Sequence, residues 1–208
     1  YTGTDGGISV GQNSESSFTD LSIGLNTRQF YLIDISETDP TKILGGAQDN
    51  GTVSTYGTNY SWQEWLGADG MDGYVSRFNS NNQVGTSQNG GLYKTTNGGL
   101  SRSYVEDEEG NWVTPVCEDP EDADVFYVGY TAVKKYSFTS GSGTDLGTPN
   151  GSGKCNELQV AESDHDVMFA AKGSNLSKSI DGGNSWTSLT TSLGSINDID
   201  IHPSNPDI

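Results

Sequence analysis

Short apolar stretches alternate with polar turns along this chain, and the alternation keeps a fixed period. A turn rich in Asn, Asp and Pro runs into a β-branched residue at Asp39-Pro-Thr-Lys-Ile43, Asn81-Asn-Gln-Val84, Asp122-Ala-Asp-Val125, Asp164-His-Asp-Val167 and Asn205-Pro-Asp-Ile208. The β-branched positions Ile43, Val84, Val125, Val167 and Ile208 are evenly spaced, and no step differs from another by more than a single position. Chance does not keep that register. A strand such as 30–35 or 196–201 leads into each turn, and the apolar stretch after it ends in Gly or Ala. A third strand reaches a Gly-rich hairpin, and a fourth leaves it through an aromatic residue. Four short strands per repeat of about 42 residues predict an all-β propeller blade. The alternation of apolar and polar residues argues for strands over helices. No helix longer than one or two turns is expected.

Residues 1–208 therefore read as one β-propeller or a contiguous part of a larger one. Tyr1 falls at the repeat position of Leu44 and Ile208 at that of Ile43, so five repeat lengths are present and a blade is interrupted at both ends. An interrupted blade leaves strand edges with unpaired backbone groups. The expectation is an excerpt whose remaining blades, or a neighbouring subunit, cover those edges; the alternative is a closed ring of five blades.

Composition narrows the partners. Ten Lys and Arg stand against 28 Asp and Glu, a formal charge of −18. Nucleic acid is excluded as an expected partner, because neutralising phosphates takes clustered basic residues. No run of 18 apolar residues exists to insert in a membrane. Residues 1–5 have neither the basic start nor the apolar core of a signal peptide, so an export signal, if one operates, lies outside this chain. With 28 Gly, 10 Tyr, four Trp and only 18% charged residues, the chain lacks the residues helices favour. Cys117 and Cys155 allow at most one disulfide, and their offset in repeat phase leaves bridged and free thiols equally open.

A second marker falls in phase with the first. Ser179-Ile-Asp181-Gly-Gly183-Asn-Ser-Trp186 resembles the Asp-box, or BNR repeat, with its pattern S-x-D-x-G-x-x-W. Lys94-Thr-Thr-Asn97-Gly-Gly99 matches it two repeat lengths earlier, although Arg102 stands where tryptophan is expected. Asn13-Ser-Glu-Ser-Ser-Phe18 is a weaker copy a further two repeat lengths upstream. An Asp at the start of a tight hairpin accepts backbone N–H bonds, the glycines supply positive φ, and the aromatic covers the turn. Asp181, Gly183 and Trp186 thus read as a folding device. The chain is similar to extracellular Asp-box propellers, the group holding sortilin-type domains, sialidases and xyloglucanase-like glycoside hydrolases, along stretches such as Gln29-Phe-Tyr31 and Gly45-Gly-Ala-Gln-Asp-Asn-Gly-Thr52. The resemblance implies an extracellular or cell-surface location.

Candidate chemistry is sparse. A sialidase needs three converging arginines, and Arg28, Arg77 and Arg102 are all the chain has. Paired carboxylates hydrolyse glycosidic bonds; the best candidates are Asp49, Asp69 and Asp72, with Trp62 and Trp65 nearby in sequence to stack on sugar rings. Asp69 and Asp72, or the stretch 118–122, carry the hard oxygen ligands calcium prefers, the alternative being solvated acidic turns. His165 and His202 read as turn residues. The leading expectation is a non-catalytic module binding glycan or extracellular protein, or contributing to a cell-surface assembly. The alternative is a glycoside hydrolase on the same frame.

Overall fold

The computed structural model describes residues 1–4, 7–11, 17–23, 28–56, 61–189 and 194–207. It is all-β. A three-stranded sheet of β1 (Thr2–Thr4), β2 (Gly7–Val10) and β3 (Thr19–Asp20) comes first. Four four-stranded antiparallel sheets follow in chain order. They are β4 (Phe30–Ile35), β5 (Ile43–Ala47), β6 (Gly51–Tyr56) and β7 (Ser61–Leu66); β8 (Gly70–Val75), β9 (Gln83–Ser87), β10 (Gly91–Thr95) and β11 (Ser103–Asp107); β12 (Val116–Glu118), β13 (Val125–Gly129), β14 (Val133–Ser137) and β15 (Gly143–Asp145); and β16 (Glu157–Ala161), β17 (Asp164–Lys172), β18 (Asn175–Ser179) and β19 (Thr187–Leu189). Every strand pairs with its sequence neighbour, so each sheet is a meander. Among the described residues the helical content is one 3₁₀ turn, Gln88–Gly90.

Ile43, Val84, Val125 and Val167 all lie in the second strands, β5, β9, β13 and β17; Ile208 lies outside the described residues. The second strand of a blade is covered on both faces, which is why β13 reads Val-Phe-Tyr-Val-Gly and is buried throughout. Apolar clusters join successive sheets. Leu44, Trp65, Leu66 and Val75 join the second sheet to the third. Tyr74, Val84, Val116 and Phe126 join the third to the fourth. Val133, Cys155, Leu158 and Met168 join the fourth to the fifth. Close approach demands glycine: a Cβ on Gly46 would run into the Met71 carbonyl of the next sheet.

The first strands β4, β8, β12 and β16 line a central cavity of about 350 Å³. Their cavity edges carry backbone N–H groups with no strand beside them, and acidic side chains from neighbouring sheets take several of these bonds. Asp34 accepts from the Val75 N–H at 2.7 Å, Asp72 from Val116 at 2.9 Å and Glu118 from Arg77 at 2.9 Å. The expected strand at 196–201 is not paired into a sheet among the described residues. Asn156 donates to the Ile196 carbonyl and Ile196 N–H donates to Gly173 at 2.8 Å, so side-chain and turn contacts hold the segment against the last sheet where a ladder was expected.

Candidate functional site

The loops at the end of the cavity where β4, β8 and β12 begin are tied into a closed circuit. Trp112 Nε1 donates to the Tyr31 hydroxyl at 3.2 Å, which donates to Gln48 Oε1 at 3.2 Å. Next along the chain, the Asp49 N–H donates to Asp69 Oδ1 at 2.7 Å, and the Asp69 N–H donates to Gln88 Oε1 at 3.1 Å. Asn89 N–H then donates to the Trp112 carbonyl at 3.3 Å and closes the circuit.

Local structure positions each member. Pairing of β4 with β5 shifts register between Phe30 and Leu32, so Tyr31 is the extra residue of a bulge. Bulges re-aim side chains, and this one frees Tyr31 from the sheet face. Asp49, Ala68 and Asn89, with φ of 57°, 66° and 62°, are the non-glycine residues with positive φ among the described residues, and all three lie in this circuit or its connector. Such conformations cost free energy and concentrate where function over-determines the backbone. Tyr31 is 39% and Trp112 45% exposed, so both rings are open to solvent while their polar edges are held.

The nominated residues divide. Asp49 and Asp69 come together here. Asp72, in the following strand, faces the cavity, where its carboxylate accepts N–H bonds from Gly73 at 2.7 Å and Val116 at 2.9 Å. Asp69 and Asp72 therefore do not converge on a cation. Nor do the acids of 118–122: Glu118 turns to Arg77, while Asp119 takes the Tyr127 hydroxyl at 2.7 Å and the N–H groups of Glu121 and Asp122. Among the described residues no three His, Cys, Asp or Glu are placed to hold a metal ion.

Trp65 is no sugar platform. It is 4% exposed, its ring sits against Gly85 and Gly99, and its carbonyl accepts the Arg102 guanidinium at 2.8 Å. Trp62 lies three positions away, an odd spacing that puts it on the other face of β7. There it is 43% exposed and stacks obliquely on Phe30 at 5.8 Å. Arg28 donates to the Asn50 carbonyl and Arg77 sits in the cavity, so the three arginines have separate partners. Cys117 and Cys155 are free thiols in this structure, both within the apolar cluster between the last two sheets. His165 pairs with the buried Asp119 at 3.2 Å, and His202 closes its own turn with Ser204.

Side-chain hydrogen bonds hold the turn at 179–186. Asp181 Oδ1 accepts from the Ser185 N–H at 2.8 Å, the Ser179 hydroxyl accepts from Gly183 N–H at 2.9 Å, and Trp186 Nε1 donates to the Gly183 carbonyl at 2.9 Å. Asn97 accepts from Ser101 N–H at 2.9 Å, and the Gly99 N–H donates to Thr95 at 3.1 Å. The weak copy at 13–18 lies largely outside the described residues.

Electrostatics set the cavity apart. Burial lifts the Asp72 carboxyl to about 7, with the Asp34 charge adding to the lift. Burial and the charges of Asp72 and Asp198 raise Glu157 to about 7. Asp34 and Glu118 are raised for the same first reason, while hydrogen bonds hold Asp119 low against its burial.

Sequence reasoning missed Tyr31, Gln48, Gln88 and Trp112 as a group. Tyr31 and Trp112 stand 81 positions apart, off the register of two repeats, so the phase does not pair them.

No protein-family model and no curated protein matches the sequence. Solved structures do. An ancestral GH74 enzyme superposes over 80% of this chain at a TM-score of 0.64 and 16% identity. The GH74 xyloglucanase of Xanthomonas campestris superposes over 76% at 0.61 and 18%, and the GH74 enzyme of Niastella koreensis over 83% at 0.60 and 16%. The WD40 repeats of RRP9 superpose over 82% at 0.67 and 10%. This chain spans 24%, 24% and 32% of the three GH74 chains and 54% of the RRP9 chain. At these identities the likeness is one of fold, and the chain has the blade arrangement of a β-propeller.

Proposed function

We propose that this chain is a non-catalytic, extracellular propeller module of the Asp-box type, which binds a glycan at the loop circuit of Tyr31, Gln48, Asp69, Gln88 and Trp112. The observation that carries the reading is the pair of exposed aromatic rings, Tyr31 and Trp112, locked edge to edge by a hydrogen bond. Flat apolar faces flanked by amides and carboxylates suit a sugar, which offers C–H patches and a rim of hydroxyls. Prior fixation of both rings lowers the ordering cost of binding. The charge of −18 directs the choice to neutral glycans over anionic ones. The non-catalytic reading rests on the engagement of the acids, since Asp69 and Asp72 each hold backbone N–H groups. The similar structures include a xyloglucanase, which is consistent with a glycan ligand. An extracellular setting fits a surface poor in Lys and rich in Asn, Ser and Thr. Further blades or a neighbouring subunit belong to the same reading.

The test is affinity electrophoresis through gels holding neutral or anionic polysaccharides, followed by a reducing-end assay. Retardation by a neutral polysaccharide without release of reducing ends is the expected result. Release of reducing ends that disappears in Asp49→Ala or Asp69→Ala would establish the hydrolase instead.

A further inference from the structure

Four asparagines of the chain precede a glycine, at Asn50-Gly51, Asn89-Gly90, Asn97-Gly98 and Asn150-Gly151. The pair carries its own chemistry, because a glycine nitrogen, unshielded by a side chain, can attack the amide carbon of the asparagine before it. The attack needs a backbone N–H that is open to solvent and free of a hydrogen bond, since the nitrogen must first lose its proton. The fold treats the four pairs differently. Gly51 is buried and its N–H donates to the Ala68 carbonyl at 2.9 Å. Gly98 is buried and donates to the Asn81 carbonyl at 2.9 Å. Gly90 is buried inside the 3₁₀ turn Gln88–Gly90, whose own bonding takes its N–H. Residues 150–153 are exposed, and the Gly151 N–H makes no hydrogen bond among the described residues. The pair lies in the connection from β15 to β16, outside any strand, with Gly151 at a φ of 109°.

Asn150 also ties two elements together. Its N–H donates to the Ser177 hydroxyl at 2.9 Å, and its side-chain Nδ2 donates to the same hydroxyl at 3.5 Å and to the Trp186 carbonyl at 3.3 Å. The connection is thereby fastened to β18 and to the aromatic end of the turn at 179–186. Both side-chain bonds are long, so little holds Cγ back from the Gly151 nitrogen.

We propose that Asn150 is the site at which the folded protein deamidates, and that the change releases the Trp186 turn from the connection. The Gly151 nitrogen, deprotonated by hydroxide, bonds to Asn150 Cγ; the Cγ–Nδ2 bond breaks, and Nδ2 takes a proton from water and leaves as ammonia. Water then opens the resulting succinimide at either of its carbonyl carbons, to aspartate or to isoaspartate. The product carboxylate accepts hydrogen bonds and gives none, so it meets the Trp186 carbonyl oxygen with like charge. Isoaspartate also inserts a methylene into the backbone. The pairs at Asn50 and Asn89, beside the loop circuit, are spared, and the proposal stands apart from glycan binding.

The test is peptide mapping by mass spectrometry after incubation of the wild-type chain at pH 8.5 and 37 °C, folded and in 8 M urea, with isoaspartate counted by enzymatic methylation. In the folded protein the Asn150 peptide is expected to convert at least tenfold faster than those of Asn50, Asn89 and Asn97, and in urea the four rates are expected to converge. Equal conversion at all four pairs in the folded protein, or a faster site among the other three, would overturn the assignment. Asn150→Asp tests the consequence without waiting for the reaction. Amide hydrogen exchange across 183–187 at least fivefold faster than in the wild type, and unchanged across 97–101, is expected; unchanged exchange across 183–187 would overturn the release.

Discussion

Asp72→Asn separates the charge of the cavity from its shape. Wild-type Asp72 accepts two backbone N–H groups, Gly73 on one oxygen and Val116 on the other. Its carboxyl sits at about 7, against an ordinary value of 3.8. A carboxyl raised in the folded state binds more protons there than in the unfolded chain. Its contribution to stability is therefore best below about pH 4 and falls as pH rises through 7. Full ionisation costs the fold at most about 4 kcal/mol. Asparagine has no charge to desolvate, but it keeps one acceptor and turns an N–H₂ toward the other donor, which costs about 1–3 kcal/mol. The two effects give opposite signs at the two ends of the pH range. Urea denaturation at pH 5, 6.5 and 8 is expected to find Asp72→Asn less stable than wild type at pH 5 and equal or more stable at pH 8. The variant also removes the charge that helps to raise Glu157, which adds to its relative gain toward pH 8. A difference that stays constant across this range, or grows more unfavourable toward pH 8, would refute the reasoning.

Two further substitutions test the frame. Gly46→Ala drives a methyl group into the Met71 carbonyl of the next sheet and is expected to cost about 3 kcal/mol or more as overpacking, read as a lower midpoint in thermal unfolding; an unchanged midpoint would show that these two sheets do not abut. His165→Gln removes an imidazole whose pKa Asp119 holds above its ordinary value despite partial burial. The histidine's contribution is complete below about 6.5 and is lost as pH rises through the folded value. The variant should be less stable near pH 5.5 and approach wild type by pH 9, and a deficit larger at pH 9 would contradict the pairing.

The four-stranded sheets were legible because their markers are local: an Asn- or Asp-rich turn and a β-branched residue mark the second strands β5, β9, β13 and β17. Individual side chains were less legible where the strand period breaks. Trp62 and Trp65 look like a pair in sequence, yet their odd spacing along β7 sends them to opposite faces, and Trp65 turns inward. Asp69 and Asp72 part because one lies in a connector and the other inside β8, whose pairing shifts between Gly70 and Gly73. Residues 196–201 have the alternation of a strand but no partner ladder, and alternation alone does not make a sheet. The Tyr31–Trp112 contact depends on a bulge and on the curvature that brings β4 beside the connector before β12. Neither property is written in the spacing of residues.

The two exposed tryptophans give the most direct test of glycan binding at the loop circuit. Trp112 belongs to the circuit, and Trp62, equally exposed, lies on an outer strand against Phe30. Titration of the neutral polysaccharide that retards the wild type, into Trp112→Ala and Trp62→Ala under identical conditions, compares them. The account predicts at least tenfold weaker binding for Trp112→Ala, wild-type binding for Trp62→Ala, and unfolding midpoints close to wild type for Trp112→Ala. Undiminished binding by Trp112→Ala, or a loss confined to Trp62→Ala, would contradict it.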